Sequence, residues 1–315
     1  MGLWTETTMA DDWQFGARST ADQVLAGRDL RGRTIIVTGA NTGIGYTTAL
    51  ALAGAGASVI FACRNAGTGE AAAARARAAH PGCSATYAAL DLASFTSILA
   101  FAAGLSARPI DALVCNAGLM SLTFDTTEEG FERTLGVCHI GHFLLARLLL
   151  PRLLAAGAPR VVMVSSESHR SPKSLDLARL PMQRATFRGM AAYGQAKLCN
   201  VLMAKSLQRR YGDRGLAACS LHPGTLVTTD IGRNSVLAGL LMKLISPFTK
   251  TPEQGAATSV LAVVREPASD LAGIYLNNCR PAPASDLAND PAVAQRLWDA
   301  SERWLLQIKD LQPWP

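Results

Sequence analysis

The feature that most constrains the fold is a glycine-rich turn between an apolar strand and a helix. A β-branched run at residues 34–37 leads into Gly39, Gly43 and Gly45, and an Ala- and Leu-rich stretch follows to Ala55. Such a unit brings backbone N–H groups and the positive end of a helix close to an anion such as a dinucleotide pyrophosphate. The spacing is G-x-x-x-G-x-G rather than G-x-G-x-x-G, and glycines can also serve only a tight turn. The turn therefore indicates a nucleotide site. Motifs elsewhere in the chain are needed to distinguish such a site from a plain tight turn.

Short apolar strands alternate with longer helical patterns along the chain. The predicted strands cover residues 34–37, 58–62, 84–88, 112–115, 161–164, 217–221 and 273–276. The predicted helices lie near 44–55, 66–79, 94–103, 130–156, 192–211, 252–264 and 291–307. This alternation predicts right-handed βαβ units, and hence an α/β fold with a single Rossmann-type, doubly wound parallel sheet and helices on both faces.

The length and composition favour one domain. The 315 residues are 49% apolar, which is enough for one large core, and no low-complexity linker divides them. We expect residues 1–30 to form an N-terminal arm on the surface and residues 31–315 to form the domain. The segment 226–251 interrupts the alternation after a late strand, where an open α/β sheet binds its ligand. We expect it to act as a substrate lid.

The charge and the cysteines exclude several classes of protein. The net charge is +6, but the basic residues are scattered rather than arranged in a stripe, so no nucleic-acid partner is expected. Seven cysteines show neither zinc-ligand spacing nor a disulfide framework, which predicts no metal and a reducing, cytoplasmic location. The N-terminus lacks the apolar region of a signal peptide. We expect no apolar stretch to reach the roughly 20 residues that span a bilayer, and at most peripheral membrane contact.

Arg64, directly after the second predicted strand, bears on the choice of cofactor. Sites selective for NAD place a carboxylate at this position for the ribose 2′-hydroxyl. An arginine can instead pair with the 2′-phosphate of NADP, and Thr42 could add a hydroxyl contact. The alternative is that Arg64 is an ordinary solvated loop arginine. We therefore predict NADP(H) as the cofactor.

Tyr193 and Lys197 carry the strongest chemical signal. They are four residues apart in a predicted helix and so share one face. A tyrosine with a pKa near ~10 is a poor acid at neutral pH, but a neighbouring ammonium stabilises its phenolate. Reduction of a carbonyl needs such a proton donor within hydrogen-bond reach of the developing oxyanion. The motif follows a strand that ends at Ser165 and Ser166, which makes a chance match less probable.

Together, the glycine turn, the serine pair and the Tyr–Lys pair resemble the short-chain dehydrogenase/reductase family. Shorter motifs are similar to the retinol dehydrogenase branch, and most similar to the reductase domain of WW-domain-containing oxidoreductases. These motifs lie at residues 27–30, 62–65, 165–170, 197–200 and 275–279. The resemblance extends from about residue 21 to 306. Too little sequence precedes residue 30 to hold a WW module, so we expect the reductase domain without those modules.

The resemblance implies roles for individual residues. Ser166 would polarise the substrate carbonyl, Tyr193 would be the acid or base, and Lys197 would lower the pKa of Tyr193 and bind the nicotinamide ribose. Asp91 would contact the adenine amino group, although it could also cap a helix, for which Ser94 is another candidate. The implied cofactor contacts are Gly39, Thr42, Gly43, Ile44, Gly45, Arg64, Asp91, Leu92, Asn116, Gly118, Tyr193, Lys197 and Thr228, with Thr229 as a rival to Thr228.

One position departs from the family pattern. The family motif N-H-[LI]-G-H-F reads here as Cys138-His139-Ile140-Gly141-His142-Phe143. By resemblance, the replaced asparagine holds a water that links the lysine to solvent, and a thiol is only a weak donor and acceptor. The site could be a reductase with a slowed proton relay. Alternatively, the protein has lost redox activity and is a nucleotide-binding regulatory protein or a nonredox tailoring enzyme.

Three further expectations concern partners and substrate. The apolar run 143–156 predicts a buried helix, which in the resembling family also packs in a dimer interface, so we expect a homodimer. Residues 235–245 would give the lid an apolar face suited to a retinoid, steroid or polyketide-like substrate, although a plain core helix is the alternative. His222 is expected to be a packed histidine, because Tyr193 already fills the acid role.

Overall fold

An eight-stranded sheet forms the centre of the molecule. The computed structural model describes residues 13–224 and 250–309, and positions 311 and 314. The strands are β1 (Thr34–Thr38), β2 (Ser58–Cys63), β3 (Ser84–Ala89), β4 (Ala112–Cys115), β5 (Arg160–Val164), β6 (Ala217–His222), β7 (Tyr275–Asn277) and β8 (Arg280–Ala282). Their order is β3-β2-β1-β4-β5-β6-β7-β8, and all pairs are parallel except β7 with β8. The order reverses between β1 and β4, where a ligand site is expected.

Helices cover both faces of the sheet, which confirms the predicted fold class. In the described part of the chain they are α1 (Ala21–Leu25), α2 (Gly43–Gly54), α3 (Ala66–Ala79), α4 (Phe95–Gly104), α5 (Arg133–Leu135), α6 (Gly141–Leu154), α7 (Gly189–Tyr211), α8 (Pro252–Val264), α9 (Asp286–Asn289) and α10 (Pro291–Trp304). A π-helical turn, Gly136–Ile140, joins α5 to α6. Short 3₁₀ turns lie at Glu167–Arg170, Leu177–Arg179, Arg184–Thr186, Gly212–Arg214 and Ala268–Leu271.

Two apolar layers hold the sheet. One contains side chains of α4, α6, α7 and α10, and the other contains side chains of α1, α2, α3 and α8. The central strands face both layers, which explains why β4 and β5 are apolar at nearly every position rather than at alternate ones.

The N-terminal segment, predicted as a surface arm, contacts the domain through its apolar side chains. Its described part is packed on the domain: Trp13, Val24 and Leu25 are buried. The guanidinium of Arg28 donates to the carbonyl oxygen of Val264 at 2.7 Å, which ties the segment to the end of α8. The few apolar side chains of residues 13–30 fit the outer layer, and the division into an arm and a domain stays a prediction. Residues 1–12 lie outside the described part.

Strand β8 was missing from the sequence prediction. It forms a hairpin with β7 through Asn278 and Cys279, whose φ angles are 54° and 61°. Two consecutive residues with positive φ are typical of a type I′ turn, which usually carries glycine, so the pair Asn-Cys gave a weak signal. Pro281 lies in the edge strand, the part of a sheet where proline is tolerated.

The stretch Arg133–Leu154 is, by length and composition, apolar enough to cross a membrane, with a mean hydropathy of 1.4. This corrects the expectation that no stretch of the chain is so long and apolar. The helix lies in the core, with most of its side chains buried among neighbouring helices. Its composition is therefore explained by the packing of the domain.

The C-terminal helix α10 covers the outer face of α6. The ring of Phe143 contacts Trp298 at 4.9 Å and Trp314 at 5.2 Å between centroids. Arg147 pairs with Glu302 at 2.6 Å, and this pair lies beside the aromatic contacts. This part of α6 is therefore covered within the chain itself.

Candidate active site

A cavity of about 530 Å³ lies at the carboxyl ends of β1, β2, β3 and β4. The segments that follow these four strands meet there because parallel strands end at the same edge of a sheet. Ten of the predicted cofactor residues line it: Gly39, Thr42, Gly43, Ile44, Gly45, Arg64, Asp91, Leu92, Asn116 and Gly118. Thr228, its rival Thr229 and nearly all of the predicted lid lie outside the described residues.

The glycines of the first turn are required by both conformation and space. Gly39 and Gly43 have φ angles of +64° and +56°, which side chains rarely adopt. A Cβ at Gly39 would lie 3.0 Å from the Cα of Ala117. At Gly45, a Cβ would collide with the Asn116 amide and with the carbonyl oxygen of Gly39. The turn is thus pressed against the Asn116–Ala117 segment, and the N-terminus of α2 opens to the cavity.

Thr38, which the sequence prediction missed, holds these segments together. Its hydroxyl oxygen accepts from the backbone N–H groups of Asn116 at 3.0 Å and Ala117 at 2.9 Å. The same oxygen lies 2.9 Å from Nε2 of His142, whose Nδ1 lies 3.1 Å from the carbonyl oxygen of Cys138. Because a carbonyl only accepts, Nδ1 carries the proton and Nε2 accepts from the Thr38 hydroxyl. No motif in the sequence pairs Thr38 with His142.

The side chains at the far end of the cavity fit an anionic group. Arg64 is exposed and makes no hydrogen bond or ion pair with any residue that the structure describes. Arg75, also missed, stacks over the ring of Tyr46 at 4.3 Å and donates to the carbonyl oxygen of Asn41 at 3.4 Å. Burial raises the pKa of the Cys63 thiol to about 11, so this thiol stays protonated and adds no negative charge beside Arg64. Arg64 thus lines the cavity, and Arg75 contacts Asn41, another lining residue.

Asp91 and Ser94 take different roles at the start of α4. Ser94 is the N-cap, because its hydroxyl accepts from the backbone N–H of Ser97 at 3.3 Å. Asp91 instead accepts from the backbone N–H of Ala93 at 2.9 Å, and it lines the cavity. Of the two predicted helix caps, Ser94 is the correct one.

Tyr193 and Lys197 lie on one face of α7, as their spacing predicts. The Nζ atom of Lys197 is 5.5 Å from the centre of the Tyr193 ring. Lys197 is only 4% exposed, and its Nζ donates to the carbonyl oxygen of Val164 at 3.0 Å. The hydroxyl of Ser165 donates to the backbone carbonyl of Lys197 at 2.7 Å and so ties α7 to the end of β5. The ammonium is held close to the phenol by the fold.

Ser166 follows directly and caps the 3₁₀ turn Glu167–Arg170. Its hydroxyl oxygen accepts from the backbone N–H of Ser168 at 3.2 Å and lies 3.3 Å from the Ser168 hydroxyl. The side chain is half-buried. It can therefore exchange the weak contact with Ser168 for a hydrogen bond to a substrate oxygen.

Gly118 lies close to both Lys197 and Cys138. A Cβ there would lie 3.1 Å from Nζ of Lys197 and 3.3 Å from Sγ of Cys138. The helix thus brings Cys138 close to Lys197, as expected. The thiol is buried and lies 3.7 Å from the carbonyl oxygen of Leu119. Cys138 sits in the π-helical turn, a feature that is frequent at functional sites.

The comparisons with known proteins agree with this geometry. Residues 33–178 match the family model of the short chain dehydrogenases. The chain is 42% identical to the WW domain-containing oxidoreductase of Danio rerio over 308 residues, covering 95% of this chain and 74% of that protein. The chain belongs to the short-chain dehydrogenase/reductase family. The predicted resemblance to the reductase region of those proteins is confirmed.

Two further similarities bear on the branch and the fold. Human retinol dehydrogenase 12 is 40% identical over 274 residues, which cover 86% of each chain. The crystal structure of an NAD(P)-dependent gluconate 5-dehydrogenase from Beutenbergia cavernae, with bound NADP, superposes with a TM-score of 0.63 and 27% identity. That alignment covers 79% of this chain and 96% of the other. Family membership thus makes the chain an oxidoreductase that binds a nicotinamide cofactor.

Proposed function

We propose that this protein is an NADP(H)-preferring oxidoreductase that interconverts an alcohol and a carbonyl on an apolar small molecule. The observation that carries the proposal is the pair Tyr193–Lys197 on α7, held beside Gly118 at the wall of the cofactor cavity. Ser166 lies at the end of β5, on the strand that Ser165 joins to the same helix.

Each of these side chains has a distinct task. The bound nicotinamide would supply or accept the hydride. The Ser166 hydroxyl holds the carbonyl oxygen, and the Tyr193 hydroxyl donates a proton to it as negative charge develops. The Lys197 ammonium stabilises the phenolate that remains on Tyr193. The backbone at Gly118 leaves room for the cofactor ribose beside Lys197.

The preference for NADP(H) is supported by the charges at the far end of the cavity. Arg64 stands at the position that holds a carboxylate in NAD-selective sites. Arg75 adds a second positive charge nearby, and its stacking on Tyr46 orients it. The gluconate 5-dehydrogenase described above holds NADP in a similar fold. Charge-assisted contacts of arginine to a phosphate account for the proposed selectivity.

An apolar substrate is supported by side chains beside the predicted site. Met120 and Leu122, which follow the Gly118 turn, are 38% and 73% exposed. Met190 is 59% exposed and lies three residues before Tyr193, on the same side of α7. Apolar walls with a few polar groups are typical of small-molecule sites. The identity with a retinol dehydrogenase makes retinoids the first class to test.

The proposal is tested by following NADPH absorbance with retinal, a steroid ketone and an aryl ketone. We expect turnover with at least one of them. Tyr193→Phe should keep the fold and bind NADPH normally but lose about 10²–10⁴-fold in turnover. Equal turnover by Tyr193→Phe would place the acid elsewhere and contradict the assignment.

A second candidate function is nucleotide-dependent regulation with little turnover, or nonredox tailoring with a retained cofactor. The observation that favours it is Cys138, a buried thiol beside Lys197 in place of the family asparagine. Cys138→Asn should raise kcat and leave NADPH affinity unchanged if the protein is a reductase. If both proteins bind NADPH and neither reduces any carbonyl, the second candidate is preferred.

Assembly and location follow as further parts of the proposal. All seven cysteines are unpaired, which supports a reducing, cytoplasmic compartment. No nucleic-acid partner is proposed, and membrane contact would be peripheral at most. A homodimer is proposed, but α10 covers the part of α6 near Phe143, so the interface would use another face of the molecule.

A further inference from the structure

A buried polar layer lies between α7 and the carboxyl ends of β6 and β7. Lys197 and Asn200 reach it from α7, Ser220 and His222 from β6, and Asn277 from β7. The strand residues face α7 because the alternate positions on both strands pack in the apolar layer on the opposite side. Lys197, Asn200, Ser220 and His222 are all at most 6% exposed.

Several polar atoms of this layer are buried without a partner among the described residues. They are Oδ1 of Asn200, Oγ of Ser220, both ring nitrogens of His222 and Oδ1 of Asn277. Protein interiors leave few buried polar atoms unpartnered, and ordered water is the usual partner. The concentration of such atoms in one layer points to a continuous hydrogen-bonding path.

The layer begins at the ammonium group of the active site. Nζ of Lys197 and Nδ2 of Asn200 donate to the same carbonyl oxygen, that of Val164, at 3.0 and 3.2 Å. The amide of Asn200 therefore lies beside Lys197. Its unpartnered oxygen can accept from a group deeper in the layer.

The layer ends at solvent, at the carboxylate of Glu167. This side chain is 37% exposed and pairs with Arg170 at 2.7 Å. One of its oxygens accepts from the Tyr275 hydroxyl at 3.0 Å and from the Asn277 amide at 3.4 Å. Asn277 is the direct cross-strand neighbour of His222. His222 thus lies between the Lys197 end and the Glu167 end.

Burial and the neighbouring positive charges keep the ring of His222 neutral. Burial lowers the pKa of His222 to about 4. Glu167 acts in the opposite direction, and Lys250, His169 and Lys197 lower the pKa further. A neutral imidazole has one N–H and one bare nitrogen, so it can accept a proton on one side and donate one on the other.

We propose that His222 and Glu167 form a proton path that links Lys197 to solvent on the side opposite Cys138. In the direction of reduction, Tyr193 gives its proton to the substrate oxygen and regains one from the Lys197 ammonium. The bare nitrogen of His222 takes a proton from the Glu167 side, and its N–H gives one toward the Lys197 amine. One proton enters from solvent for each carbonyl reduced, and no redox step is added. The inference rests on the proposed function.

The first test is His222→Gln, which keeps hydrogen-bonding capacity but cannot pass a proton. We expect kcat to fall on the order of 10²-fold, with KM and NADPH affinity unchanged. Added imidazole should restore part of the rate. The solvent deuterium isotope effect on kcat should rise. The matched control is His139→Gln, since His139 is also buried but bonds Ser301 of α10. His139→Gln should lower the free energy of unfolding, and added imidazole should not change its turnover rate.

The second test uses the fact that Glu167 and His222 would pass the proton one after the other along the same path. Glu167→Gln should slow turnover, and the double variant with His222→Gln should be no slower than the slower single one. Cys138→Asn, which restores the family residue on the other side, should recover much of the rate of His222→Gln. Additive losses, or an active enzyme whose turnover His222→Gln leaves unchanged, would overturn the path.

A measurement without cofactor separates this inference from the proposed function. Histidine ring NMR should give His222 a lower pKa in Glu167→Gln than in the unmodified protein, because the carboxylate favours the charged ring. An unchanged pKa would contradict the path even in an active enzyme. If no carbonyl is reduced by any variant but the pKa shifts as expected, the proposed function fails while the coupling of His222 with Glu167 stands.

Discussion

At the scale of single residues, Arg64 predicts the cofactor through its position in the fold rather than through its residue type. Arginines are common on protein surfaces, and the chain has many. Arg64 is distinctive because it follows the second strand of a βαβ unit, where the cofactor ribose is recognised. The structure places it at the cavity wall, exposed and with no partner among the described side chains.

Arg64→Asp is expected to reverse the cofactor preference. The unmodified protein should bind NADPH more tightly than NADH, because a charge-assisted contact to the 2′-phosphate is worth about 1.5–3 kcal/mol. The aspartate should weaken NADPH binding because its carboxylate repels the 2′-phosphate. It should strengthen NADH binding because it accepts a hydrogen bond from the ribose 2′-hydroxyl. Fluorescence titration of both cofactors measures this, with Arg108→Asp, an exposed change away from the cavity, as the control. Equal affinities of the unmodified protein for both cofactors would refute the assignment.

At the scale of elements, the turn after β1 and the segment after β4 act as one unit. Thr38 binds the backbone of Asn116 and Ala117, and the glycines let the two segments touch. Two of the segments that line the cofactor cavity are therefore far apart in sequence and are joined through the hydroxyl and the carbonyl of Thr38. The shape of the cavity depends on the glycines, which carry no side chain, as well as on the side chains that line it.

Gly45→Ala is expected to disrupt this unit. Its Cβ would collide with the Asn116 amide and the Gly39 carbonyl, and overpacking of this kind costs about 1–3 kcal/mol. We expect a lower melting temperature and weakened NADPH binding. Gly104→Ala at the end of α4 is the matched control, because a Cβ there meets nothing within 4 Å. Normal cofactor affinity in a folded Gly45→Ala protein would show that the contact is dispensable.

Strand and helix positions could be predicted closely, because periodicity and strand-end residues report directly on packing. The seven predicted strands and the main helices appear within a few residues of their expected bounds. Long-range pairs were not predictable: nothing local indicates that Thr38 contacts His142, or that Glu167 bonds Asn277, the cross-strand neighbour of His222. The hairpin of β8 was missed because its turn lacks glycine, and the π-helical turn at Cys138 leaves no pattern in the sequence.

At the scale of the whole molecule, the buried histidines make stability depend on pH. Burial lowers the pKa of His139 to about 3 and that of His142 to about 4. In the unfolded chain the same groups titrate near pH 6.5. The unfolded state therefore binds more protons as pH falls below about 6.5, and the native state loses stability until these folded-state pKa values are reached.

We expect the free energy of unfolding to decline between about pH 6.5 and pH 4. A single histidine with the shift of His142 contributes up to about 3 kcal/mol. Urea unfolding at a series of pH values measures the slope. His139→Gln should make the curve shallower, because one proton fewer is bound on unfolding. A flat profile over this range would mean that the rings are solvated in the folded protein.

The covering of α6 by α10 also has a consequence for how the chain matures. Arg147 and Glu302 are 155 residues apart, and His139 and Ser301 are 162 apart. During synthesis, the apolar surface around Phe143 leaves the ribosome long before the tryptophans that cover it. Contacts between such distant parts of a chain form late, and exposed apolar surface in the meantime favours aggregation. Chains that stop before residue 291 should therefore depend on chaperones, although the cofactor cavity and the Tyr193–Lys197 pair precede the missing helix.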